Sequence, residues 1–270
     1  MNNLITRAIT GVVFVGVLLG SVWWSPIAAK VVFGLFLVAG LIEFYRLFEG
    51  NSSVKPSALW GVAAGTMIYL ILLTERYLPF PFPSPIVVML ILSLLLLSEL
   101  WRKQKQPLIN SGIHLLSTFY LILPFVLLSL LSESTKGSFP IVAGMLLLIW
   151  TNDTFAYLTG RLIGKTKLME RISPKKTWEG TIGGIFMSIS VGITIGILTG
   201  DILFWIVSAI IVAPCAILGD LLESTYKRSL NIKDSGSILP GHGGILDRFD
   251  ATLFTVPFFF AWNSIYMLYF

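Results

Sequence analysis

Cysteine is nearly absent from this chain, histidine is rare and charge is scarce. Cys215 is the single cysteine, so an intrachain disulfide and a cysteine-based metal cluster are both excluded. It lies in an apolar segment and reads as a small packing residue. Only 12% of the residues are charged, against 55% hydrophobic, whereas soluble domains carry about 25% charged residues. No hydrophilic segment is long enough to fold as a separate soluble domain. No internal repeat is visible, which argues against the inverted-repeat architecture of many transporters. The formal charge of +5 is explained by basic cytoplasmic loops and not by nucleic acid as a partner.

What is present is a series of apolar runs. A membrane-spanning helix needs roughly 20 mostly apolar residues, and the runs fall at about 8–24, 27–47, 58–78, 86–100, 113–131, 140–162, 180–199, 201–226 and 248–270. The expected fold is an all-α, polytopic helical bundle of about nine transmembrane helices. The first run resembles a signal peptide but is too long for one and is followed at once by another span, so it reads as an uncleaved helix. The fourth is short and is expected to be tilted or partly re-entrant. Ser25-Pro26, the proline-rich Pro79–Pro83 turn and Gly200-Asp201 punctuate the joins.

Nine spans place sixteen of the nineteen Lys and Arg residues on one side, leaving Lys30, Arg76 and Lys136 on the other. That asymmetry predicts a cytoplasmic N-terminus and an external C-terminus. Residues 1–135 read as scaffold helices and 136–270 as the part carrying the site. Glu43 and Glu99 lie three residues before Arg46 and Arg102 and are expected to form ion pairs at helix ends. His114 reads as a packing or helix–helix hydrogen-bonding group.

Three polar constellations stand out. In the sixth span Asn152, Asp153, Ala156, Tyr157 and Gly160 recur at three- and four-residue spacing, so they share a face. Arg161 follows. An acid at that depth is costly and marks a site. Next, Ser173-Pro174 is expected to break the chain before Lys175, Lys176, Thr177 and Glu179. Thr177 is placed to cap the seventh helix, and a helix N-terminus beside two lysines suits an anion.

The third constellation runs from Gly219 to Asp250 and is the densest. Asp220, Glu223, Ser224 and Lys227 form one helical stripe. Arg228, Lys233, the turn Gly241-His242-Gly243 and the group Asp247, Arg248 and Asp250 follow. Carboxylates at two helix ends suit a hard cation such as Mg2+, which takes one or two carboxylates plus waters and substrate phosphates. Lys and Arg around it would hold phosphates. His242 reads equally as a general base, a phosphate donor or a turn residue. The derived chemistry is magnesium-dependent work on a phosphorylated substrate at a membrane surface.

The run Ser224-x-x-Lys227-Arg228, Lys233-Asp234-x-Gly236 and Pro240-Gly241-His242-Gly243-Gly244-x-x-Asp247-Arg248-x-Asp250 closely resembles the signature of the phosphatidate cytidylyltransferases, or CDP-diacylglycerol synthases, of prokaryotic type. The Asn152-Asp153-x3-Tyr157 and Ser173–Gly180 runs are similar to that family's as well. The resemblance covers residues 150–250, while the N-terminal helices match only in character. It implies that CTP and phosphatidic acid give CDP-diacylglycerol and pyrophosphate at the cytoplasmic face of the inner membrane. It also implies Asp220 and Asp247 on magnesium, with Glu223 or Asp250 supporting a second cation. Lys227, Arg228, Lys233 and Arg248 would neutralise phosphate charge. Lys175 and Lys176 would bind CTP or the lipid head group, beside Ser173 and Glu179, and Asn152 and Asp153 would line the cavity. A homodimer is a further candidate assembly. Two other readings compete with this one. A CTP-dependent polyprenol kinase would transfer the γ-phosphoryl group and release CDP. A cation channel would need polar residues in both membrane halves, whereas here they cluster on one side.

Overall fold

The computed structural model describes residues 3–50, 53–80, 82–236, 238, 241 and 243–269. The protein is an all-α polytopic membrane protein. Its helices are α1 (Asn3–Trp24), α2 (Pro26–Arg46), α3 (Ala58–Thr74), α4 (Ser84–Arg102), α5 (Pro107–Ser117), α6 (Leu123–Leu131), α7 (Ile141–Ile163), α8 (Trp178–Thr199), α9 (Ile202–Ser229) and α10 (Leu246–Tyr269). A π-turn over Thr118–Ile122 joins α5 to α6, so Pro107–Leu131 acts as one span. Seven of these rods are long and apolar enough to cross a bilayer, and shorter apolar helices cover Ala8–Trp24 and Ala58–Thr74.

Three expectations are corrected. The fourth span is not short, because Pro85 starts the helix early and α4 runs 19 residues to Arg102. Proline at the first helical positions costs nothing, since those N–H groups have no intrahelical partner. The fifth span likewise begins earlier than 113, at Pro107. Ser173-Pro174 does not simply break the chain. Ser173–Thr177 forms strand β4, antiparallel to β3 (Lys167–Met169), with Lys167 opposite Thr177 and Met169 opposite Ser173. Proline is admissible in a two-stranded ribbon, where every strand is an edge. A second small hairpin pairs β1 (Thr135–Lys136) with β2 (Phe139–Pro140).

The chain divides into two compact units. The first comprises residues 1–21, 27–130 and 235–247; the second comprises 22–26, 131–234 and 248–270. In the first, Phe33, Leu37 and Leu41 of α2 are fully buried. Tyr45 packs where Gly61 of α3 has no side chain, and its hydroxyl meets His114 Nδ1 at 2.8 Å and Ser117 Oγ at 2.9 Å. The expected helix–helix bond of His114 is therefore present. Glu99 forms its ion pair with Arg102 and accepts from Asn110 Nδ2 at 2.9 Å. Glu43 instead binds the two ends of the glycine-rich segment 235–246.

In the second unit α7, α8 and α9 pack through missing side chains. A Cβ on Gly180 would lie 2.6 Å from the Ala156 carbonyl oxygen, and one on Gly184 would lie 2.6 Å from that of Asn152. A Cβ on Gly192 would lie 2.7 Å from the Trp205 carbonyl oxygen, and the Trp205 ring fills the space above Gly144. Without a hydrophobic driving force between helices in lipid, small residues of this kind let backbones approach closely. At one end of the unit Asp201 caps α9 by accepting from Phe204 N at 3.2 Å. Asp201 also receives Lys136 Nζ at 2.9 Å and Tyr266 Oη at 2.7 Å.

Candidate functional site

Helix α7 ends at Gly160–Ile163 because the β3–β4 hairpin turns back beneath it. Thr177, at the end of β4, caps α8 by accepting from Gly180 N at 3.2 Å, as the sequence predicts. Its hydroxyl sits where side chains on Gly160 and Gly164 would go, 2.9 and 2.6 Å from the Cβ positions. The hairpin is therefore pulled tight against the end of α7. Glu179 closes the other side of the turn, accepting from the backbone N–H groups of Lys165 and Thr166 at 3.1 Å.

These elements enclose a cavity of about 600 Å³ within the second unit. Asp153, Tyr157 and Arg161 line it from α7, Lys167, Lys175 and Lys176 from the hairpin, and Asp220 from α9. Thr177 and Thr181 complete its polar wall. Four cations against two carboxylates give the lining a formal excess of two positive charges. Such a cavity is matched to a polyanion, and the positive end of the α8 dipole adds to that field.

The acids form a compact group. Lys176 Nζ is ion-paired with Asp220, and both interact electrostatically with Asp153. Asp250 of α10 joins this field through Asp220 and Asp153. Gly219 makes that approach possible, since a Cβ there would lie 2.9 Å from the Asp250 carbonyl oxygen. Glu223 is also 3.4 Å from Lys227 Nζ, and Ser224 Oγ is 3.3 Å from Asp220 Oδ1. The helical stripe read from the sequence is thus present. Among the described residues no set of three or more His, Cys, Asp or Glu side chains is arranged as a metal cage. Magnesium needs no such cage, because it is satisfied by one or two carboxylates with waters and phosphates. The neighbouring carboxylates of Asp153, Asp220 and Asp250 are oxygen donors of the kind a divalent cation takes.

The other candidate residues have these surroundings. Asn152 is fully buried behind Asp153 and donates to it at 3.4 Å. Ser173 begins β4. Arg228 turns back on the Ile232 carbonyl at 3.3 Å, and Lys233 and Arg248 are exposed. Gly241 and Gly243 adopt positive φ of 78° and 85°, conformations that favour glycine. Asp247 accepts from Ser235 N at 3.0 Å and Gly244 N at 2.9 Å, closing the loop on itself. His242 and Pro240 lie outside the described residues. Sequence reasoning misses Lys167, which enters the cavity only because the hairpin sets it opposite Thr177 and which donates to the Pro174 carbonyl at 2.7 Å. It also misses the loop contacts of Glu43. The one sequence signal for Lys167 is its place in the same basic loop as Lys175 and Lys176.

The fold and cavity define a helical membrane protein with a cationic, polyanion-sized site fringed by carboxylates. Comparison with known proteins makes the assignment specific. The chain belongs to the Cytidylyltransferase family, whose model matches residues 5–266. It is 33% identical to a phosphatidate cytidylyltransferase of Staphylococcus saprophyticus over 238 residues, 86% of this chain and 90% of the relative. A Staphylococcus aureus protein of the same name is 32% identical over a stretch of the same length. A Brucella abortus phosphatidate cytidylyltransferase is 32% identical over 271 residues, covering 98% of this chain and 95% of the relative.

Proposed function

We propose that this protein transfers the cytidylyl group of CTP to phosphatidic acid, giving CDP-diacylglycerol and pyrophosphate. The observation that carries the reading is the cavity itself. Arg161, Lys167, Lys175 and Lys176 surround Asp153 and Asp220 between membrane helices, in a chain whose relatives bear that enzyme's name.

A phosphate oxygen of the lipid attacks the α-phosphorus of CTP. The new P–O bond forms as the bond from that phosphorus to the α,β-bridging oxygen breaks, and pyrophosphate leaves with the electron pair. The attacking oxygen is already anionic, so no protein nucleophile and no general base is required. The protein contributes positioning and charge neutralisation. Lys175, Lys176, Arg161 and Lys167 neutralise the triphosphate, and the positive end of the α8 dipole adds to that field. Magnesium, held through Asp220 with Asp153 and Asp250 nearby, would supply charge stabilisation to the leaving pyrophosphate. Asp247 shapes the glycine-rich loop. The site faces the cytoplasm across the inner membrane, the side on which the basic loops collect.

Label position tests the reading. CTP labelled at the α-phosphorus should pass its label into the lipid product. Lipid labelled instead from the γ-phosphorus, with CDP released, would replace it with the kinase alternative.

A further inference from the structure

Outside the cavity, one buried charged group is spent entirely on the glycine-rich loop. Glu43, on α2, is 2% exposed. Its carboxylate accepts from Ser235 Oγ at the start of the loop. At the loop's end it accepts from Ile245 N at 2.8 Å and Leu246 N at 3.3 Å. A single side chain therefore clamps both ends of the segment. Two of the loop's glycines make room for it. A Cβ on Gly236 would lie 2.9 Å from Glu43 Cδ, and one on Gly244 would overlap Glu43 Oε1. A Cβ on Gly40, one turn earlier on α2, would lie 3.6 and 3.8 Å from the Leu246 and Ile245 side chains. Helix α2 is itself held by the Tyr45 contacts to His114 and Ser117, so the carboxylate is presented from a fixed support.

We infer that Glu43 is a positioning residue for the reaction, setting the loop that leads into Asp247 and α10. The inference rests on the cytidylyl-transfer reading above. An ionised carboxylate offers only acceptors to these three donors, whereas an amide offers one acceptor oxygen and turns an NH2 group on a backbone N–H. Glu43→Gln thus converts a clamp into a clash of donors with almost no change in volume.

The test uses the full-length protein in detergent or nanodiscs, with CTP turnover, melting temperature and amide exchange read together. Glu43→Gln should lower kcat by about 10²-fold, the scale expected from misplacing a reacting group by an ångström. The KM for CTP should stay near the wild-type value, and exchange at Ile245 and Leu246 should accelerate. Glu43→Asp, which keeps the charge, should recover part of both and covers the case in which the glutamine variant folds poorly. Asp201→Asn removes a carboxylate of the second unit that is held by Lys136 and Tyr266, and it should lower the melting temperature at pH 7 without moving kcat or loop exchange. Wild-type kcat in folded Glu43→Gln, or Asp201→Asn reproducing both effects, overturns the inference. A wild-type protein inert toward CTP whose loop exchange still responds to Glu43→Gln would refute the proposed function and leave the clamp standing.

Discussion

Lys176, on strand β4, is ion-paired with Asp220, on helix α9. The pair joins the hairpin to the acidic stripe and puts a cation where charge on a substrate phosphate would be met. In the proposed reaction Lys176 would exchange Asp220 for the triphosphate when nucleotide binds, leaving the carboxylate available to a divalent cation. Lys176→Ala should then lower kcat/KM for CTP by about 10²–10³-fold, the cost of deleting one preorganised charge partner. Asp220→Ala should abolish turnover while the protein still folds. Steady-state kinetics with melting curves check both, and near-wild-type turnover in Asp220→Ala would remove it from the site.

Metal dependence is a prediction drawn from the same group of acids. Chelation of divalent cations should stop turnover, and added magnesium should restore it. Asp220→Asn should raise the magnesium concentration needed for half-maximal rate, because Asp153 and Asp250 remain as the weaker partners. Full activity in the presence of excess chelator would contradict this.

The close approach of α7 and α8 predicts where the fold is least tolerant. Gly180→Ala puts a methyl 2.6 Å from the Ala156 carbonyl oxygen and should cost about 1–3 kcal/mol, as overpacking does. Gly16→Ala, where nothing lies within 4 Å, is the control and should be neutral or slightly stabilising. Thermal unfolding in one detergent separates them.

The pH response of the opposite end of the second unit has a definite sign. Burial pushes the Asp201 carboxyl up, but hydrogen bonds from Lys136, Tyr266 and Phe204 N–H outweigh it and hold the group below its usual 3.8. A depressed carboxyl pKa contributes stability that is present above the unfolded value and lost as pH falls through the folded one. The stability difference between wild type and Asp201→Asn should therefore hold from pH 7 to about 4 and shrink below that. A difference that grows on acidification would contradict the assignment.

The spans, the polar face of α7, the Thr177 cap and the Asp220 stripe are legible in the sequence because each is written within one helix or at its end, where periodicity and capping chemistry are local. The hairpins are not. Strands of two to five residues containing Pro174 and consecutive lysines carry no alternation, and Lys167 joins the site only through their pairing. Spacing of i, i+3 makes Arg46 the local candidate partner for Glu43. Its partners on the loop lie 192 to 203 residues away, and nothing local announces them. Gly236 and Gly244 are visible as glycines, but the reason for them is the carboxylate they surround.

Cytidylyl transfer is tested most directly by incubating the purified protein with phosphatidic acid, magnesium and each of the four nucleoside triphosphates in turn. Stoichiometric pyrophosphate and CDP-diacylglycerol should form with CTP alone. Pyrophosphate release that does not require phosphatidic acid, or no liponucleotide product with any of the four, would contradict it.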